Sequence, residues 1–303
     1  MKMNPAYVLP ALLLAADTSA QAGGGAVGDQ KIRVLIVDGF GNHDWEATTR
    51  AISSILGRDN AFEVEVSTVP DKQDASWRRW NPGFAGYDAV IQNTNDISRQ
   101  GAWPEPAKRS LERYVSGGGG LLIFHSANNA FPDWPEYNQM IGLGWRKRDF
   151  GPAVVVEDGG PVRVPAGQGG NTSHGKRVDV LITRLGDHPI HQGLPRQWMA
   201  ADLEVYRYAR GPAENLAVLS YAKEAETGLN FPIEWVVAYG QGRVYASTFG
   251  HYWHTQAQAP PGIRCRGFRA LLPRAVRWLA DAEIPGDTPE GFPAQDRVSL
   301  DPS

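Results

Sequence analysis

The chain has 303 residues, 42% of them hydrophobic and 21% charged, with a formal net charge of −3. That composition excludes wholesale disorder, and without a basic excess there is no charge pattern for a nucleic-acid partner. One cysteine excludes an internal disulfide, and no stretch reaches the length of a membrane span.

The N-terminus reads as a targeting segment. Lys2 precedes the short apolar run "VLPALLLAA" (8–16), and "AQA" (20–22) supplies small residues at a cleavage site. Residues 1–22 are therefore expected to be a signal peptide and 23–30 a flexible lead-in, which places the protein in the periplasm or outside the cell. The folded domain is expected over 31–281, with a loosely held polar tail at 282–303.

"KIRVLIVDGFG" (31–41) predicts a buried strand ending in glycine, followed by a helix from Asp44 with Ile52, Ile55 and Leu56 on one face. "FEVEVSTV" (62–69) and "YDAVIQN" (87–93) predict two more strands. "EPAKRSLERYVSGGGG" (105–120) predicts a helix stopped by glycines, and "LLIFHS" (121–126) a fourth strand. Continuous apolar strands alternating with helices point to a parallel sheet covered on both faces. The Gly- and Pro-rich stretch 151–175 reads as an excursion with short strands. Further strands are expected at 177–183, 203–208 and 216–222, then a hairpin at 231–251 around "YGQG". A closing helix is expected at 265–281, with Pro273 bending it or marking its start.

Ligands of open parallel sheets bind beyond the carboxyl ends of the strands. Three histidines leave strands there: His43 in "VDGFGNHDW", His125 in "LLIFH" and His251 after "RVYASTFG". Singly, each fits a hydrogen-bonded structural residue. Together they point to one crevice able to move protons or to hold a divalent metal such as zinc. The spacing contains no tight metal motif. Asp44 can reach the site or cap the following helix. His188, extended before Pro189, shapes a wall or simply turns the chain. Glu204 and Tyr206 alternate onto one strand face, where a carboxylate and a phenol suit a sugar hydroxyl or acid–base work. Trp235 and Arg243 fit packing and surface charge. There is no G-x-S-x-G elbow or phosphate loop, and Cys265, at the start of the last helix, fits a structural thiol.

Six spaced motifs, "VDGFGNHDW", "GGGLLIFHSA", "DHPIHQGLP", "LEVY", "PIEWVVAYGQGRVYASTFGH" and "FRALLPRAVRWLA", together resemble the trehalose-utilisation, or ThuA-like, family from about Lys31 to Asp281. The resemblance implies an α/β, flavodoxin-like, class I glutamine amidotransferase-like fold. It places His125 where an amidotransferase carries its cysteine, so glutamine amidotransfer is not expected. It implies carbohydrate chemistry on a disaccharide or its 3-keto derivative, with His43, His125, Glu204 and His251 as candidates and His125 and Glu204 as acid–base partners. His174 in "TSHG" matches a family histidine, but the preceding 150–172 segment is longer than the family's usual connection. His254 beside His251 has no counterpart with a role. A non-catalytic sugar-binding protein on the same scaffold is the alternative, and a homo-oligomer is compatible with either.

Overall fold

The computed structural model describes residues 31–97 and 103–302. The expected signal peptide and lead-in lie outside them. Among the described residues, no helix is long and apolar enough to cross a membrane.

The first half builds a parallel sheet. Strands β1 (Ile32–Asp38), β2 (Phe62–Thr68), β3 (Ala89–Gln92) and β4 (Gly120–Ile123) stand in the order β2-β1-β3-β4, with Ile36 opposite both Val66 and Ile91 and Gln92 opposite Ile123. This is the flavodoxin-like order that the family resemblance implies, and its strands are parallel as the strand–helix alternation predicts. Val34 and Ile36 of β1 face one core and Leu35 and Val37 the other, because successive side chains of a strand alternate. Helix α1 (Trp45–Leu56) covers the first face. Helices α2 (Glu105–Ser116) and α3 (Pro135–Ile141) cover the second, α2 through Ala107, Leu111 and Val115 at four-residue spacing. Gly117 ends α2, and Gly118 (φ 116°) adopts a backbone that a side chain resists.

The second half extends that sheet by reversal. The excursion forms the hairpin β5 (Ala153–Glu157) and β6 (Gly160–Val164), then the short β7 (Ser173–His174). The chain continues through β8 (Val178–Arg184), β9 (Gln197–Leu203), β10 (Tyr206–Arg207), β11 (Leu216–Lys223), β12 (Asn230–Tyr239) and β13 (Gly242–Ser247). β13 pairs parallel with β4, but β12, β11, β8 and β9 follow it in antiparallel steps. The parallel sheet read from the sequence thus holds for five strands and becomes mixed beyond β13. The four reversals leave β9 running the same way as β13, so both deliver their following residues to one edge.

Three local readings differ. β4 ends at Ile123, two residues before His125, because His125 takes φ 38° and opens a 3-10 turn over His125–Asn129. The strand expected at 203–208 is broken: β9 stops at Leu203, and β10 pairs separately with β7. Pro273 does not mark a helix start, since α5 (Arg266–Leu279) runs through it directly after the short α4 (Pro261–Arg264). α5 joins α1 on the first face of the sheet.

The tail is tied down rather than loose. Ala294 accepts from the Met199 amide on edge strand β9, Leu300 bridges to Cys265, and Phe292 packs on Trp198. The Asp301 carboxylate pairs with Arg58, Arg269 and Arg266 at 2.5, 2.8 and 3.1 Å. A cavity of about 350 Å³ lies here between α1, α5 and the tail. Its arginines already meet carboxylates or backbone carbonyls, Arg277 with Asp59 and Arg274 with the carbonyls of Gln192 and Asp287.

Candidate functional site

At the carboxyl edge of the sheet, three exits converge. His43 follows β1, His125 follows β4 and His251 follows β13, and their ring centroids are 4.9–5.3 Å apart. One nitrogen from each lies within 4.8 Å of the others. Neighbouring loops hold them there. The Asp44 amide donates to the Tyr252 carbonyl, joining the first and third exits. Asn42 is fixed by Asn95, whose side-chain amide donates to Asn42 Oδ1 at 2.7 Å. Gly250 (φ 109°) brings the backbone against the Phe124 ring, where a Cβ would collide.

The tautomers are set by second partners. His125 Nδ1 lies 2.8 Å from the Thr248 carbonyl, which can only accept, so the proton is on Nδ1 and the Nε2 lone pair is bare. His43 Nδ1 lies 2.9 Å from Asn42 Oδ1, with the same consequence. At His251 the Arg177 guanidinium donates to Nδ1, which puts the ring proton on Nε2. Burial, reinforced by neighbouring imidazoles and Arg177, pushes His43 down to about 2 and His125 and His251 to about 3. All three rings are neutral at neutral pH. The buried His125 Nε2 has no hydrogen-bond partner.

Glu204 faces this cluster. It leaves β9 at the shared edge, with Oε1 3.3 Å from His251 Nε2 and 3.7 Å from His174 Nε2, and Oε2 3.8 Å from His125 Nε2. Burial raises its pKa against the opposing pull of His174 and Arg177. His174 arrives through the β7–β10 pairing, directly opposite Tyr206. Tyr206 packs on His125 and Trp145, and its hydroxyl meets the Asn129 side chain. At the rim, Trp253 stands edge-on to His43 and parallel to His251 and remains 40% exposed.

The structure therefore brings His43, His125, His174, Glu204, Tyr206 and His251 together. Asp44 is the N-cap of α1 and accepts from the Ala47 amide at 2.9 Å. His188 is elsewhere. It packs on Trp278 and caps its own turn, at the opposite end of β9 from Glu204, roughly 20 Å away at the usual rise per strand residue. His254 is exposed, with its ring 6.2 Å from that of Trp253. Trp235 is buried and donates to the Ile141 carbonyl, Arg243 pairs with Asp281, and Cys265 is buried with its thiol pushed up. Arg177 and Trp253 were not singled out from sequence. Arg177 immediately precedes a strand running away from the site edge, so a search of strand exits passes over it.

The fold and this edge define an α/β protein of flavodoxin-like topology whose strand exits carry a histidine–carboxylate site. Residues 33–279 match the model of the ThuA family, described as trehalose utilisation. The chain belongs to that family. Among solved structures, a ThuA-like protein from Parabacteroides merdae superposes with a TM-score of 0.83 at 29% identity, over 90% of this chain and 98% of that one. A ThuA-like protein from Bacteroides uniformis gives 0.54 at 15% identity, over 86% and 95%. No curated protein matches the chain.

Proposed function

We propose that the protein is an enzyme that acts on a disaccharide or its 3-keto derivative, in the periplasm or outside the cell, with Glu204 as the group that carries the proton. The observation that carries this reading is the placement of Glu204: a buried carboxylate with a raised pKa, within 3.3–3.8 Å of three imidazoles, at the carboxyl edge of the sheet. A carboxyl group so tuned can take a proton from carbon beside a carbonyl, or give one to a leaving oxygen. His125 lies beside it with its single proton committed to Thr248, so it does not give up that proton to substrate. Tyr206 closes the inner wall, and Trp253 offers an exposed face for a sugar ring. The family's description as trehalose utilisation supports a carbohydrate substrate.

Incubating purified protein with a 3-keto-disaccharide and following products by mass spectrometry tests the proposal. Glu204→Gln is expected to lower turnover by about 10²–10⁴-fold with the fold intact. Equal turnover by Glu204→Gln and wild type removes Glu204 from the mechanism. The exposed Trp253 also suits a protein that binds sugar without converting it. Tight binding by calorimetry with no product favours that second reading.

A further inference from the structure

The geometry points to a metal centre: we infer that His43, His125 and His251 bind one divalent transition ion of the zinc class, with Glu204 beside the open side of the site. Three nitrogens from three separate strand exits lie within 4.8 Å of one another. Zinc–imidazole bonds are about 2.0–2.1 Å, so a closure of about an ångström completes the set. Two of the rings are already oriented as metal ligands are. The Nδ1–H groups of His125 and His43 are engaged by the Thr248 carbonyl and Asn42 Oδ1, and each Nε2 is left as a donor. The His125 Nε2 is buried and unpartnered, although leaving a buried polar atom without a partner is costly. An ion there satisfies it.

The donor set selects the metal. Imidazole nitrogens suit zinc, cobalt, nickel, copper or iron(II), whereas magnesium and calcium require oxygen ligands. Three histidines leave one position of a tetrahedral site open, as in catalytic rather than structural zinc sites. His251 supplies the switchable ligand. Its Nδ1 is held by Arg177, and Arg177 also pairs with Asp202 at 3.5 Å. Ion binding at Nε2 moves the ring proton to Nδ1 and leaves Arg177 to Asp202. The inference stands on the side-chain geometry whatever the organic substrate is.

The test is metal content. Purified full-length protein is stripped with a chelator, reconstituted with zinc or cobalt, freed of excess ion by gel filtration and analysed by elemental mass spectrometry. One ion per chain is expected for wild type, with visible cobalt d–d absorption and a zinc-dependent rise in Tm. His43→Asn, His125→Asn and His251→Asn are each expected to lose most of the ion, while His188→Gln keeps it. Melting in metal-free buffer separates lost ligation from lost folding, and partly exposed His251 serves if the buried variants do not fold. Reconstituted wild type without stoichiometric ion overturns the inference, as does undiminished content in the folded variants. Sugar turnover by the stripped protein refutes only a catalytic need for the ion. A bound ion without turnover refutes the proposed activity and leaves the centre standing.

Discussion

Glu234 shows how a charge is made tolerable in the core. It is fully buried on β12 and receives bonds from His191 Nε2 at 3.1 Å, Ser220 Oγ at 2.5 Å and Tyr245 Oη at 2.8 Å. Burial alone would push its carboxyl up, but His191, Ser220 and Tyr245 hold it below the usual glutamate range. A depressed folded pKa means that its contribution is complete above the unfolded value near 4.5 and is lost as pH falls below it. Glu234→Gln is accordingly expected to cost about 3 kcal/mol at neutral pH and to flatten the decline of stability below that value, as read by urea unfolding across pH. The alternation with Tyr206 and the family resemblance singled out Glu204, but the sequence does not tell which of the two carboxylates is satisfied by its neighbours. Both sit in apolar, strand-like segments, and only their neighbours separate a satisfied group from a reactive one. His43, His125 and His251 were legible because each lies within a few residues of a strand's carboxyl end. Arg177 was not, because it precedes a strand.

At the level of elements, close packing decides which small residues matter. Gly267 in α5 lies against the Trp198 ring of β9, and a Cβ there would overlap it. An exposed helical Gly→Ala gains about 1 kcal/mol from propensity. Here overpacking is expected to win, so Gly267→Ala should lower stability by about 1–3 kcal/mol, measured as a drop in the urea midpoint. The continuous apolar strands, α1 with its Asp44 cap and the glycine stop after α2 were readable, because their signals are local. The break between β9 and β10 was not. Asp202 adopts φ 48°, a backbone state that its residue type does not announce, and β10 then pairs with β7 about thirty residues upstream. That long-range pairing turns the "LEVY" segment from one strand face into two separate placements of Glu204 and Tyr206.

For the whole molecule, the tail completes the fold instead of trailing from it. β9 is an edge strand of the main sheet, and an exposed edge offers unpaired amides to other chains. The tail accepts from Met199 and anchors itself through Asp301 on three arginines. Deleting 282–303 is expected to lower Tm and speed amide exchange at Met199 with the His43 region unchanged. Hydrogen exchange by mass spectrometry reads both, and an unaltered Met199 rate removes the tail's protective role. The sequence by itself determined the α/β class, the leading strands and helices and the three exit histidines, because hydrophobic period, caps and strand ends are encoded within a few residues. Only the tertiary structure decided how Glu204 and His174 reach them and that Arg177 joins them. Their placement depends on how many times the sheet reverses after β13 and on which distant strands pair, and those are outcomes of packing over more than a hundred residues of chain.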